Sequence, residues 1–338
     1  MPRRPLLGLI VLVLLLGAYG VFWWIVAGRI EDGIVTWADS LRRQNAELTW
    51  RAIRVGGFPL AFNIKLTDAQ LRGTAIGQPS ELRAPSLSAS ARPWNFRDWR
   101  LAAPEGLNAA IGPGGEPLVK LTAGAATGAV AAGGDGDTIA SLTLSETTAD
   151  LPEHITADKA DLWFTLPARP PQSHTDRALG LAADLRGLRV PLTPTPFQGA
   201  IDDLAFGATV LGAIPAGPPR VVATAWRDAG GTVELDRFAL RWADVAVNGS
   251  GTMALGPDLQ PIGAFSGAVS GLDELLKALA TAGQLRMGDL TLARIGLAAL
   301  AKPGPNGKPE VSTSFTIQNG QMYLGPLKLG PAPRINWQ

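Results

Sequence analysis

The sequence predicts a mainly β protein with minor α: an N-terminal transmembrane helix, then an antiparallel β-sheet of groove-like or sandwich-like form with short amphipathic helices. Three observations carry this. Residues 6–27 contain no charge. Apolar and polar residues alternate with period two along most of residues 55–268, the mark of half-buried strands. Gly at 40 and Pro at 27 suit many short strands joined by tight turns.

The N-terminal segment reads LLGLIVLVLLLGAYGVFWWIVA, which as a helix extends about 33 Å and matches a bilayer core. Arg3 and Arg4 precede it, and Trp23 and Trp24 lie near its far end, where interfacial aromatics belong. Small residues at Gly17, Ala18 and Gly20 leave a cleaved signal peptide as the alternative, although the apolar run continues past them through Ile25. Uncleaved, the segment anchors the chain once in a membrane, with residues 28–338 outside the cytoplasm. The organisation expected is an anchor over residues 1–28, an amphipathic helix over 29–50 and a β-rich domain over 51–338, with a possible subdivision near 124–178. In the second of these, Ile30, Ile34, Trp37, Leu41 and Leu48 recur on one helical stripe. That stripe either caps one end of the β-domain or lies on the lipid.

The first strand signal is VGGFPLAFNIKLTDAQLRG, in which Leu60, Phe62, Ile64 and Leu66 share one side, while Asn63, Lys65 and Thr67 take the other. The apolar side faces either a closed core or a groove for acyl chains. Leu162, Phe164 and Leu166 alternate in the same way, as do Leu179, Leu181, Ala183 and Leu185. Val233 and Leu235 open another run, with Leu240 and Trp242 assigned to the strand after it. GAATGAVAAGGDGDT (124–138) and LPARPPQSHTDRA (166–178) read as loops. Val245, Val247, Gly249, Gly251, Met253 and Leu255, then Ile262, Ala264 and Phe265, describe a hairpin. Ser270 and Asp273 stand at capping-box spacing ahead of a helix over 271–282. A second helix is expected over part of 285–301. Asn319-Gly320 marks a closing hairpin between Phe315 and Met322.

The anchor, GGFPLAFNIKLTD, NGSGTMALGPDLQPIGAFSGAVSGLDELLKAL and FTIQNGQMYLGPLKLG resemble the bacterial family known as domain of unknown function 2125, over most of the chain. More loosely, the Gly-x-Gly-x-apolar strands, short leucine helices and final Asn-Gly hairpin are similar to AsmA-like envelope proteins. That similarity implies an elongated, curved sheet exposing an apolar groove to lipid.

Net charge of +1 with 17% charged residues gives no field for nucleic acid. The absence of cysteine excludes disulfides, thiolate metal sites and cysteine nucleophiles. His154 and His174 read as loop residues, and the His174/Asp176 pair lacks a Gly-x-Ser-x-Gly elbow. Asp202 and Asp203 are adjacent, so as strand residues they point to opposite faces instead of converging on a metal. GPNGKPE at 304–310 fails the phosphate-loop spacing. No cofactor or metal is expected, and the chain reads as non-enzymatic. Ten tryptophans crowd toward the N-terminal end, and Trp94, Phe96 and Trp99 interleave with Arg92, Arg97 and Arg100. That mix suits a headgroup boundary, and cation–π packing on a protein surface explains it equally well. Two roles follow: binding or guiding membrane lipid along an apolar β-groove that begins at Leu60, Phe62, Ile64 and Leu66, or recruiting an envelope protein partner through a sheet edge or surface.

Overall fold

A computed structural model describes residues 4–75, 78–112, 117–151, 153–191, 200–281, 301–304, 309–325 and 327–337. The chain divides into two compact units, Met1–Ala132 and Gly133–Gln338.

In the first unit a single helix, α1, runs through Arg4–Arg42. It is followed by β1 (Glu47–Thr49), β2 (Ala52–Gly56), β3 (Phe62–Ala75), β4 (Gln78–Arg92), β5 (Asn95–Ala103), β6 (Leu107–Ile111) and β7 (Val119–Ala132). All pairings are antiparallel. Along one side of β3, β1 pairs with its far half and β2 with its near half, and β4 takes the other side. β4 then pairs with β5 and β6 end to end, and both pair with β7. Long strands thus alternate with pairs of short ones.

The expected helix through Leu48 ends early. Gln44 donates its backbone N–H to Leu41 and Ala46 to the same carbonyl, Asn45 takes φ 58°, and the chain turns so that Leu48 enters β1 and is buried there. Nor does Trp37 lie on the covered stripe: it is exposed, and Ala38 beside it is buried. The stripe that α1 lays on the sheet is Trp23, Ala27, Ile30, Ile34 and Ala38, spaced by four, three, four and four. A small residue at 38 lets the helix approach β1, which an indole at that place would prevent.

Beneath the stripe lie Phe62, Ile64, Leu66 and Ala69 of β3, with Val55, Ile53, Leu87, Ala89 and Trp99 around them. Phe62 is the largest fully buried side chain, at 0% exposure. Its ring stacks on Trp23 at 5.2 Å and on Phe96 at 5.6 Å, Trp23 meets Phe58 edge-on at 5.5 Å, and Phe58 meets Tyr19 at 6.2 Å. The Trp23 indole N–H donates to the Ala61 carbonyl at 3.2 Å, and the Tyr19 hydroxyl donates to the Pro59 carbonyl. An aromatic ladder therefore ties α1 to the start of β3.

The segment from 124 was expected as a loop, yet most of it is β7. Gly128 faces Leu101, and Ala123 and Ala126 of this strand are buried, so small side chains fill close-packed positions. Low side-chain volume there is a packing requirement. Only residues 133–137 turn.

The second unit is a meander: β8 (Thr138–Leu151), β9 (Glu153–Leu166), β10 (Arg177–Leu188), β11 (Ile201–Leu211), β12 (Thr232–Trp242), β13 (Val245–Leu255), β14 (Pro261–Ser270), β15 (Lys302–Pro303), β16 (Pro309–Gln318), β17 (Gln321–Leu324) and β18 (Leu327–Pro331). Each strand from β8 to β14 pairs antiparallel with the next. β16 pairs with β14, and the short β15 and β17 share its other edge. The expected loop between β9 and β10 is found.

Two helices interrupt the meander. α2 (Pro219–Asp228), between β11 and β12, was not expected from the sequence; it buries Ala223 and Trp226, whose indole N–H donates to the Leu211 carbonyl at 2.8 Å. α3 (Leu272–Thr281) falls where the capping-box spacing placed it. The helix expected over 285–301 lies, save for its last residue, outside the described residues. Asn319 and Gly320 take φ 53° and 67°, the turn that a two-residue hairpin requires.

Phe62→Ala is expected to destabilise the first unit by about 3–5 kcal/mol, because a buried ring leaves a cavity between helix and sheet. Leu60→Ala, at a side chain 67% exposed, should stay within about 0.5 kcal/mol. Denaturant melts of the two variants check this, and equal losses would mean that Phe62 is not the anchor point of α1.

Candidate functional site

Residues directly opposite one another in an antiparallel pair project to the same side. Following the register across the second unit, Leu162 faces Ala183, Ala183 faces Phe206, Phe206 faces Phe238, and Phe238 faces Gly249. Gly249 in turn faces Gly267, and Gly267 faces Thr313. Their alternate neighbours repeat the pattern, with Leu185, Leu204, Leu240, Val247, Val269 and Val311 in line. With Leu142 of β8 opposite Leu162, one face of the meander is largely apolar across eight paired strands.

A bulge preserves this face where it would otherwise be lost. In β12, Leu235 pairs with Gly251 and Phe238 with Gly249, so two residues of β12 stand against one of β13. Val233 and Leu235 before the bulge, and Phe238 and Leu240 after it, thus point the same way. This is why Val233/Leu235 and Leu240/Trp242 looked like separate strands: they belong to one strand whose parity shifts at Asp236.

The opposite face is polar. Asp203 pairs with Arg241, Asp184 with Arg237 at 2.7 Å, and Asp161 with Lys159 at 2.7 Å. Partial burial raises the Asp161 carboxyl, but the Lys159 ammonium and the Thr143 hydroxyl outweigh it and hold the group below the usual carboxylate range. Three ion pairs thus lie on this side of the sheet.

Most apolar-face side chains are only half-buried; every residue of β11 is in this state. Between β12 and β16 the face sinks into a recess of about 380 Å³, lined by Leu235, Phe238, Val247, Phe265, Val269 and Phe315 among others. Its floor is made of glycine. Gly249 and Gly267 face each other across β13 and β14, and Gly251 and Gly263 flank the Phe265 ring, which lies over them. A Cβ on Gly267 would run into the Asn248 carbonyl oxygen, and one on Gly249 would stand 2.9 Å from that of Ser266. Phe265 and Phe315, 5.9 Å apart, wall one end. The volume and the apolar lining fit a pocket for a hydrophobic ligand.

The residues expected to line a groove lie elsewhere. Phe62, Ile64 and Leu66 share one face, as the alternation requires, but that face is covered by α1. Leu60 stands outside β3, in the turn before it, and is exposed. Trp23 is buried against Phe62, whereas Trp24 is 75% exposed. Arg4 opens α1, and Arg3 lies outside the described residues. Among the residues whose side chains are described, no helix is long and apolar enough to cross a membrane. The most apolar stretch, 6–14, lies outside them.

Other clusters hold structure together. The Asp176 carboxylate accepts the backbone N–H groups of Gln172 and Ser173, each at 2.9 Å, which holds its pKa below the ordinary carboxylate value and closes the turn carrying His174. His154 meets Asp150 at 2.8 Å on the surface. Asp202 accepts the Ala243 N–H at 2.8 Å, and Asp203 pairs with Arg241. Arg83 and then Arg72, with Gln70 beside them, hold the Glu81 carboxyl down to about 2. No group of three or more His, Asp or Glu able to hold a metal occurs among the described residues.

The glycine floor has a measurable consequence. Gly267→Ala is expected to destabilise the second unit by about 1–3 kcal/mol, as over-packing does, while Gly134→Ala, which meets nothing within 4 Å, should be close to neutral. Thermal melts distinguish them, and a neutral Gly267→Ala would show that β13 and β14 have room to separate.

No curated protein and no solved structure matches the chain. A family model described as an uncharacterized protein conserved in bacteria, domain of unknown function 2125, matches residues 23–333, which takes in α1 from Trp23 onward, the strands of both units and the whole glycine-floored recess; the chain belongs to that family.

Proposed function

We propose that this protein is a non-enzymatic, membrane-anchored component of the bacterial envelope that binds lipid acyl chains in the apolar recess of its second unit. The observation that carries the reading is the half-buried apolar face between β12 and β16, with its glycine floor. A sheet face of this kind loses free energy in water at about 25 cal/mol per Å² of apolar surface. An acyl chain laid along it removes that cost and demands no specific polar contact.

The anchor part of the reading rests on α1. Residues 6–27 are uncharged and lie wholly inside one helix. Outside the stripe covered by the sheet, Leu15, Leu16, Val21, Phe22, Trp24 and Ile25 are all exposed. Large apolar side chains bare on several sides of a helix call for lipid around them. With Arg3 and Arg4 on the cytoplasmic side of an inner membrane, both units stand in the periplasm.

Two experiments test this. Native mass spectrometry of gently extracted full-length protein should show co-purifying lipid, and a photoactivatable fatty acid should crosslink to the β12–β16 face. Thr313→Trp lays an indole over Gly267 and should abolish both signals while leaving the melting transition in place. Ser312→Trp, one residue away on the polar face, should leave both signals intact. Lipid retained by the Thr313 variant, or a peptide found in the recess in place of lipid, would overturn the lipid reading, and the peptide would point to a scaffold for a protein partner. For topology, alkaline phosphatase fused to Gln338 should be active, and a reporter that works only in the cytoplasm should be silent at the same position; the reverse pattern would reject a periplasmic location.

A further inference from the structure

The aromatic ladder fixes the height of one end of the first unit against α1. Tyr19 bonds to the Pro59 carbonyl and Trp23 to that of Ala61, so the turn at 57–61 lies beside helix residues 19–23. These precede Ala27, the end of the uncharged run, by eight and four residues, or about 12 and 6 Å along the axis. Any bilayer that takes up the whole run therefore meets this turn as well.

The turn is built for such a place. GGFPLA carries no charge, and Phe58 and Leu60 are exposed. Phe96, stacked on Phe62, brings the β4–β5 turn to the same end, where Trp94 is 65% exposed. Behind this rim, on the face of the sheet away from α1, lies a polar hollow of about 270 Å³ lined by Leu60, Asn63, Ser90, Arg92, Asn95 and Arg100 among others. One carboxylate, Asp98, also lines it and accepts a hydrogen bond from Asn95 at 2.7 Å. Among the described residues, the ion pairs of this unit join Arg42 with Asp39 and Glu47, Arg51 with Asp68, and Arg72 and Arg83 with Glu81, and none involves Arg92 or Arg100. Bare aromatic and aliphatic side chains in front of these guanidinium groups match the layering of a lipid interface, acyl region first and phosphates behind.

We infer that this tip is a second membrane contact: Phe58, Leu60 and Trp94 enter the lipid interface beside α1, and Arg92 and Arg100 face the phosphates of anionic phospholipid headgroups. The inference rests on the reading of residues 6–27 as membrane-inserted. It makes α1 and the sheet one rigid body held to the bilayer at two places, so that the first unit cannot swing freely on its helix.

The chain has no cysteine, so Leu16→Cys, Leu60→Cys, Trp94→Cys and Thr74→Cys each give one site for an environment-sensitive fluorophore. Thr74 is exposed at the far end of β3, about 40 Å from Phe62. In full-length protein reconstituted into phosphatidylcholine–phosphatidylglycerol vesicles, lipids spin-labelled near the headgroup should quench the probes at Leu60 and Trp94, and not that at Thr74. Acyl-labelled lipids should quench the probe at Leu16. Quenching at Leu16 without quenching at Leu60 and Trp94 overturns the second contact and leaves the anchor standing; an unquenched Leu16 probe overturns both. In an Arg92→Gln/Arg100→Gln background, quenching at Leu60 should lose its dependence on phosphatidylglycerol, and a dependence that persists unchanged would remove the arginines from the proposal.

Discussion

Period-two alternation gathers the apolar residues of an antiparallel sheet onto one face, and that face must be covered. The two units meet this constraint differently. In the first, α1 supplies the cover: Trp23, Ala27, Ile30, Ile34 and Ala38 lie on Phe62, Ile64, Leu66 and their neighbours, and Phe62 has no exposure at all. In the second, the same alternation runs across eight strands, and most of its side chains stay half-buried. One unit has a closed core and the other keeps much of its apolar face open, although both are written in the same pattern.

That shared pattern explains which parts of the molecule the sequence could and could not place. The β class, α3, the Asn319-Gly320 turn and the common face of Phe62, Ile64 and Leu66 follow from local rules of alternation, capping and turn geometry. What lies against a face is a long-range matter. Nothing near residue 62 tells whether a helix forty residues upstream will cover it, and that is why the strand first suspected of lining a groove is the one most fully covered. The glycines of β13 and β14 carried the better signal. Gly249, Gly251, Gly263 and Gly267 recur at alternate positions in two paired strands, and side chains missing from one face of a sheet leave a hollow there.

Other misreadings have equally specific causes. Composition suggested a loop in the alanine- and glycine-rich stretch at 124–132, where the sheet buries Ala126 and sets Gly128 opposite Leu101. The bulge in β12 broke the alternation in the sequence while keeping it in space. α2 escaped notice because its apolar positions are few: only Ala223 and Trp226 are buried, and a single indole hydrogen bond fixes the helix to the end of β11. The periodicity of a ten-residue helix with two anchors is too brief to stand out.

The placement of aromatic residues connects the two themes. Trp23 belongs at once to the uncharged segment and to the sheet core, stacking on Phe62 and bonding to the Ala61 carbonyl. An aromatic with an apolar body and one polar N–H suits such a junction, because its hydrogen bond is satisfied by the protein itself while its rings pack on the sheet. Trp24, one residue on and 75% exposed, turns away from the sheet by the helical rotation of about 100° per residue. Two adjacent indoles thus do different work: one fastens the sheet to the helix, and the other is left for the surroundings of the helix. Whatever medium surrounds α1 at this level is also what the rim at Phe58, Leu60 and Trp94 must meet, since Trp23 and Phe62 leave the helix and the rim no freedom to part.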